Sequence, residues 1–204
     1  MDAIGRLSSE SVALAGKFQR VGDDKLMTER PDRQLAEAAQ RGDGDNFTEL
    51  CRRYYPAMVA IAHSILGDKH LAEDAAQQAF ATAAVKLPEL RHADRFAGWL
   101  GVICRNAAND IGRKKQVVYN ADELSRLPAR QDEPQDTEAV RIAVAHLEPE
   151  AREVIYLRFY DGLTYERISK VLGISQEAIN GRLRRAKIKI AENLKRSGFS
   201  EVEL

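Results

Sequence analysis

The stretch LTYERISKVLGISQEAINGRLRRAKIKI, residues 163–190, contains the clearest structural pattern of this chain. Thr164 and Ser175 stand where N-terminal helix caps belong, and Gly173 stands where a left-handed turn residue belongs. Apolar residues recur at helical spacing on both sides of this glycine. Two short helices joined by a glycine-containing turn form a helix-turn-helix, whose second helix enters the major groove of DNA.

The second predicted helix carries many side chains that can contact DNA. Amide side chains such as Gln176 and Asn180 suit adenine, whereas arginine suits guanine or phosphate. The candidate residues for duplex binding are Thr164, Ser175, Gln176, Glu177, Asn180, Arg182, Arg184, Arg185 and Lys187. A helix hairpin with a purely structural role is the alternative. DNA binding is favoured because the two caps, the glycine turn and a basic second helix occur together.

A formal net charge of zero conceals separate basic and acidic segments. Residues 91–115 carry six basic and two acidic side chains, and residues 176–196 carry seven and two. Residues 31–90 carry six basic and nine acidic side chains, and residues 120–140 carry two basic and six acidic side chains. Clustered Lys and Arg are typical of polyanion binding, because phosphate neutralisation releases counterions. A solvated helix face is the alternative for either basic segment alone, and their alternation with acidic segments favours binding.

The rest of the chain shows helical periodicity and no strand pattern. This predicts an all-α fold of two small helical domains joined by a flexible linker, with the helix-turn-helix in the second. The predicted segments are an N-terminal extension (1–31), a first domain (32–115), an acidic linker (116–136), a second domain (137–197) and a C-terminal tail (198–204).

Cap and breaker residues mark the expected helix ends in the first domain. Asp32 and Asn46 are expected to cap its first two helices, and Asp68 its third, which stops near Pro88. Pro56 predicts a bend or a break within the second helix, because proline removes a backbone donor.

Several classes of protein are disfavoured. Cys51 and Cys104 stand far apart with no Cys/His cluster nearby, so we expect no metal and no cofactor. The common nucleotide-binding and hydrolase motifs are absent, so we do not expect an enzyme. No apolar run approaches the roughly 20 residues of a membrane span, and the N-terminus lacks the apolar core of a secretion signal. We therefore expect a cytoplasmic protein without membrane insertion.

Three stretches, in this order, resemble bacterial sigma factors of the extracytoplasmic-function group within the sigma-70 family. AEDAAQQAF, residues 72–80, is similar to the core-polymerase-binding motif of that family. WLGVICRNAANDIGRKK, residues 99–115, is similar to its minus-ten promoter segment, and residues 147–187 are similar to its minus-thirty-five-binding domain. The resemblance covers the chain from about residue 33 to residue 195 and leaves the first 31 residues unexplained.

The resemblance implies partners and residue roles. Core RNA polymerase would be bound through its β′ and β subunits, with the β′ contact made by Asp74, Gln77, Gln78 and Phe80. The family commonly has Glu where Gln78 stands. The minus-ten element would be bound by Arg91, His92, Arg95, Arg105, Asn106, Asn109, Arg113 and Lys114. Besides promoter DNA, an anti-sigma factor is an implied partner.

Two other hypotheses are compatible with the same residues. A helix-turn-helix transcriptional regulator would act on duplex DNA without binding polymerase and would give residues 72–80 no role. An enzyme or helical adaptor would touch no nucleic acid, and its interactions would lack the steep salt dependence of phosphate contacts.

Overall fold

A computed structural model describes residues 30–121, 135–160 and 162–196, and these residues form helices and short connections without a strand. This confirms the all-α prediction. The helices are α1 (Asp32–Gln40), α2 (Gly44–Leu66), α3 (Lys69–Lys86), α4 (Phe96–Ala121), α5 (Gln135–Ala145), α6 (Pro149–Ile155), α7 (Tyr165–Leu172) and α8 (Gln176–Arg196). Short 3₁₀ turns occupy Leu87–Glu89 and Ala93–Arg95, and a π-helical turn occupies Tyr156–Tyr160.

Two of the expected helix caps were wrong. The side chain of Asp43, not Asn46, caps α2 by accepting a 3.2 Å hydrogen bond from the Asn46 backbone N–H. Asp32 lies in the first turn of α1 instead of capping it. Its carboxylate instead accepts hydrogen bonds from the side chains of Arg53 and Tyr54, which tie α1 to α2. The Asp32 carboxylate therefore links α1 to α2 instead of capping α1. The cap of α2 comes from Asp43, which directly follows Gly42.

A break at Pro56, one of the two expected outcomes, does not occur, because α2 continues from Gly44 to Leu66 with this proline inside it. Proline removes one helical hydrogen bond, and packing on both sides of it offsets that loss. Phe47 and Leu50 before the proline, and Met58 and Ile61 after it, are all buried against neighbouring helices. Tertiary packing thus overrides the local preference for a break.

The predicted start and end of the third helix are confirmed. Gly67 closes α2 in the left-handed region with a φ of 64°. The Asp68 side chain caps α3 by accepting a 3.1 Å hydrogen bond from the Leu71 N–H, and α3 ends before Pro88. Its buried face consists mainly of alanines, which let α2 and α4 pack close against it: Ala72, Ala75, Ala76, Ala79, Ala83 and Ala84.

Helices α5 to α8 form the second group, which contains the predicted helix-turn-helix as α7 and α8. Its core is made by apolar residues from α6, the π-helical turn, α7 and α8: Val154, Leu157, Ile168, Val171, Ile179 and Leu183. Across the far end of α8, the Asn193 side chain donates a 3.3 Å hydrogen bond to the Ala143 carbonyl of α5.

Helix continues into both ends of the segment predicted as a linker. Helix α4 runs on to Ala121 and α5 already begins at Gln135. The remainder of the predicted linker, residues 122–134, lies outside the described residues, as do residues 1–29 of the predicted extension and the predicted C-terminal tail.

The two helical groups pack against each other, which tethered independent domains would not require. On one side, the His63 ring of α2 meets the Tyr156 and Tyr160 rings edge-on, with centroids 4.9 and 4.7 Å apart. On the other side, α4 lies against α7, and Arg105 forms an ion pair with Glu153 of α6.

Candidate nucleic-acid interface

Local hydrogen bonds build the helix-turn-helix as the sequence predicts. Thr164 Oγ1 accepts a 3.3 Å hydrogen bond from the Arg167 N–H, and Ser175 Oγ accepts a 3.2 Å bond from the Ala178 N–H. Gly173 adopts a left-handed φ of 67°, and its N–H donates to the Ser169 carbonyl at 2.8 Å. Both caps and the turn are therefore confirmed, and they fix how α8 leaves α7.

Most of the predicted duplex-binding side chains lie exposed on or next to α8. The exposed members of the set are Thr164, Ser175, Gln176, Glu177, Asn180, Arg184 and Arg185. Arg182 is partly buried and pairs with Glu150 at 3.0 Å, and the Lys187 ammonium lies 5.4 Å from the centre of the Phe159 ring. The structure thus presents a polar and basic face at the start of α8, with two cations engaged by neighbouring side chains.

The predicted minus-ten residues divide between a loop and one face of α4. Arg91, His92 and Arg95 are exposed in the connection between α3 and α4. On α4, the exposed members of the set are Asn106, Asn109, Arg113 and Lys114. Asn106, Asn109 and Arg113 share one helical stripe because they are three and four residues apart. Arg113 pairs with Asp110 on the same helix.

Arg105 differs from the rest of the predicted minus-ten set. Its Nε donates a 2.8 Å hydrogen bond to the Glu153 carboxylate, and the two side chains are only 30% and 13% exposed. Burial raises the pKa of Glu153, and the positive charges of Arg105 and Arg182 oppose that rise. Arg105 is therefore bound to the second helical group instead of facing solvent.

The predicted polymerase-binding residues do not share one environment. Asp74 and Gln78 are exposed on α3, and Gln77 beside them is partly buried. Phe80 is only 4% exposed, and its ring stacks on that of Tyr55 with centroids 6.3 Å apart. The structure therefore places Phe80 in the core, where it anchors α3, and not on the surface that α3 presents to a partner.

Glu150 and Glu153 of α6 were not among the predicted site residues, although each holds one of the predicted DNA-contacting arginines. No sequence pattern singles out these two glutamates, but the pair Gly98 and Gly101 on α4 is a signal that another helix packs closely against α4. Glycines three residues apart on a helix leave a bare strip that another backbone can approach. A β-carbon on Gly101 would lie 3.3 Å from the Val171 carbonyl oxygen of α7.

Among residues 30–121, 135–160 and 162–196, no cluster of three or more His, Cys, Asp or Glu side chains has the arrangement of a metal site. The Cys51 and Cys104 thiols are free, and burial raises the pKa of each to about 12, so neither is a reactive thiolate at neutral pH. In the same described part of the chain, none of the helices has the length and apolar character needed to cross a bilayer.

Comparison with known proteins connects both halves of this interface to one family. The sequence pattern named Sigma-70 region 2 matches residues 50–117, and the pattern named Sigma-70, region 4 matches residues 137–190, together more than half of the chain. The chain belongs to the sigma-70 family. It is an RNA polymerase sigma factor, and its relatives place it in the extracytoplasmic-function group.

Sequence relatives of this sigma factor include SigW of Bacillus subtilis, an ECF RNA polymerase sigma factor. The two are 26% identical over 76% of this chain and 92% of SigW. BldN of Streptomyces coelicolor, also an ECF RNA polymerase sigma factor, is 28% identical over 72% of this chain. The match spans 59% of the length of BldN.

Solved structures show the same fold. CnrH in complex with the cytosolic domain of CnrY aligns with a TM-score of 0.56 and 27% identity, over 81% of this sigma factor and 98% of CnrH. The sigma factor RpoE in complex with the anti-sigma factor NepR from Bartonella quintana aligns with a TM-score of 0.50 and 25% identity, over 74% and 98% of the two chains. The all-helical two-region architecture is therefore that of the family.

Proposed function

We propose that this sigma factor binds core RNA polymerase, recognises two promoter elements and assists promoter opening, with no catalysis of its own. One observation carries the proposal: exposed polar and basic side chains occupy α4 and α8, one in each of the two matched sigma-70 regions. Core polymerase supplies the chemistry, so the protein needs only to position DNA. We also assign the protein to the cytoplasm, because transcription takes place in that compartment.

Region 4 binds the minus-thirty-five element as a duplex. The N-terminal end of α8 enters the major groove, where the Gln176 and Asn180 amides can each pair with an adenine edge. The Glu177 carboxylate is an acceptor suited to the amino group of cytosine, since hydrogen bonds from its own backbone N–H and from Ser175 lower its pKa and keep it ionised. Arg184 and Arg185 further along bind phosphates and set the register.

Region 2 binds the opened minus-ten element. The exposed loop residues Arg91, His92 and Arg95 lie just before α4, and the stripe of Asn106, Asn109 and Arg113 continues along it. Arginine side chains next to asparagine amides suit a single strand of DNA, because its phosphates attract cations and its unpaired bases expose hydrogen-bonding atoms. Arg105 joins this surface only after it leaves Glu153.

Helix α3 provides the contact with the polymerase β′ subunit through Asp74, Gln77 and Gln78. Asp74 and Gln78 are exposed and four residues apart, so they lie on one face. With Gln78 at a position where the family commonly has Glu, Asp74 carries the negative charge of this small surface. We further propose that an anti-sigma factor is a partner, on the precedent of the related RpoE bound to NepR.

Co-purification with core polymerase tests this function against that of a regulator that acts on duplex DNA alone. The tagged chain should retain core polymerase on an affinity column, and Asp74→Arg should weaken that retention. Glu37→Arg on α1 is the control, because it makes the same charge change at a partly exposed carboxylate on another helix, where it breaks only the local pair with Arg33. Phe80→Ala is unsuitable because it empties a core position. Equal retention of Asp74→Arg and Glu37→Arg would contradict the assigned surface, and no retention of the wild-type chain would favour the regulator.

A further inference from the structure

A groove of about 630 Å³ lies beside α5 and α6, away from the helix-turn-helix. The end of α2 and the start of α3 form one wall, and α5, α6 and the π-helical turn form the others. Its lining is mostly apolar, and three large apolar side chains along it are exposed: Val140, Phe159 and Tyr160. Exposed apolar side chains gathered in one groove are typical of a binding surface. We call this surface the α5–α6 groove.

Positive charge surrounds the apolar lining of the α5–α6 groove. Lys69, Arg141 and Arg152 line it, and none of its described lining residues is Asp or Glu. Burial raises the pKa of Tyr156, which also lines the groove, and the charges of Arg152 and Arg141 oppose that rise. Arg152 Nε is buried and has no hydrogen-bond partner among the described residues. The groove therefore suits a peptide that carries both apolar side chains and carboxylates.

The segment that follows α8 has this composition. Residues 197–204 read SGFSEVEL and lie outside the described residues. They include three apolar and two acidic residues and no basic one: Phe199, Glu201, Val202, Glu203 and Leu204. Their charge is opposite to that of the groove, and their apolar side chains match its lining.

The end of α8 brings this segment close to the groove. Asn193, one turn before the end of α8 at Arg196, donates a 3.3 Å hydrogen bond to the Ala143 carbonyl of α5. Val140 and Val144, which line the groove, lie within one turn of Ala143 on the same helix. A helical turn rises only about 5.4 Å, whereas eight residues extend to at most about 28 Å. Residues 197–204 are therefore long enough to enter the groove from the end of α8.

We propose that the α5–α6 groove is the docking site of residues 197–204 of the same chain. The apolar side chains of this segment cover Val140 and Phe159. Its two glutamates lie against Arg141 and Arg152, so that Arg152 Nε gains an acceptor. This docking goes beyond promoter and polymerase binding and requires neither of them.

Disulfide cross-linking in the full-length chain tests the docking. The test variant is Val140→Cys/Val202→Cys, and the matched control is Ile142→Cys/Val202→Cys. Residues 140 and 142 lie on the same helix and are 45% and 43% exposed, but only residue 140 lines the groove. The native Cys51 and Cys104 remain, because burial raises the pKa of each thiol to about 12. Each variant is oxidised in air with copper–phenanthroline at low micromolar protein concentration, and disulfides are identified by non-reducing electrophoresis and peptide mass spectrometry.

The Val140→Cys/Val202→Cys variant should form its intramolecular disulfide about tenfold faster than the control, because docking raises the effective concentration of the two thiols. Adding Glu201→Gln and Glu203→Gln should slow this reaction several-fold. Loss of neighbouring negative charge lowers a thiol pKa and would by itself speed oxidation, so a slower reaction reports lost docking. The same two substitutions in the control variant measure that chemical effect alone.

Equal rates of disulfide formation in the test and control variants would overturn the docking. Disulfide-linked dimers whose yield rises with protein concentration would also overturn it, because the groove would then bind a second copy of the chain. A rate advantage that survives both glutamine substitutions would overturn the pairing of the glutamates with Arg141 and Arg152.

Discussion

Ser169 and Ile174 join the two helices of the helix-turn-helix across its turn: Ser169 Oγ donates a 2.6 Å hydrogen bond to the Ile174 carbonyl oxygen. Gly173 between them bends the chain with its left-handed φ. The direction of α8 relative to α7 therefore depends on one side-chain bond and one glycine, in addition to apolar packing.

Ser169→Ala should lower the free energy of unfolding by about 1 kcal/mol, because the partly buried Ile174 carbonyl loses its donor. Chemical denaturation measures this change. Thr82→Ala is the control, since its hydroxyl makes a similar 2.8 Å bond to the Gln78 carbonyl on the exposed side of α3 and should change stability by less than about 0.5 kcal/mol. Equal effects of the two variants would remove the special role of Ser169.

Gly181→Ala should stabilise α8 by up to about 1 kcal/mol, because glycine inside a helix is conformationally costly. A β-carbon there would approach only the end of the flexible Arg185 side chain, at 3.5 Å. Gly173→Ala should have the opposite effect, a loss of about 1–2 kcal/mol, because its φ is left-handed. Thermal unfolding distinguishes the two, and a loss of stability in Gly181→Ala would contradict the open space around residue 181.

Asp68→Ala should cost about 1 kcal/mol at neutral pH, since the cap of α3 is lost, whereas Asp68→Asn should retain most of the capping bond. The Leu71 N–H lowers the pKa of Asp68 in the folded chain. The contribution of the carboxylate is therefore complete above the ordinary aspartate pKa and is lost as the pH falls through the lower folded value. Denaturation curves across this pH range should show that the difference in the free energy of unfolding between the wild type and Asp68→Ala becomes smaller on acidification. A gap that widened would contradict the assignment.

Asn180→Ala and Arg184→Ala should separate base reading from phosphate binding on α8. Arg184→Ala should weaken binding to all duplexes and reduce the salt dependence by about one phosphate contact. Asn180→Ala should instead alter the preference at particular base pairs. Selection from a randomised duplex library, followed by salt titration, measures both effects. The same uniform loss in both variants would leave Asn180 without a base-reading role.

Local signals in the sequence were sufficient for the helix-turn-helix. Thr164, Gly173 and Ser175 act through neighbouring backbone groups, so their roles can be predicted from their spacing. The N-terminal cap of α2 was misassigned because Asp43 and Asn46 are both good capping residues three positions apart. Which of the two residues caps the helix depends on the residue at which the preceding turn ends.

Long-range contacts were beyond sequence reasoning. The resemblance placed Phe80 among the polymerase contacts, but its side chain is buried and stacks on Tyr55, which comes from another helix. The pairing of Arg105 with Glu153 joins residues 48 positions apart, and no local pattern specifies it. Charge counting located the basic segments correctly but could not show which arginines the protein already neutralises.

Transcription initiation in a reconstituted assay tests the central claim most directly. Purified core polymerase with and without this sigma factor is incubated with fragmented DNA from the source genome, and the 5′ ends of the transcripts are mapped. New start sites that share two upstream elements are predicted, and they should disappear with Asp74→Arg but persist with Glu37→Arg. Start sites that are the same with and without the chain would contradict the account.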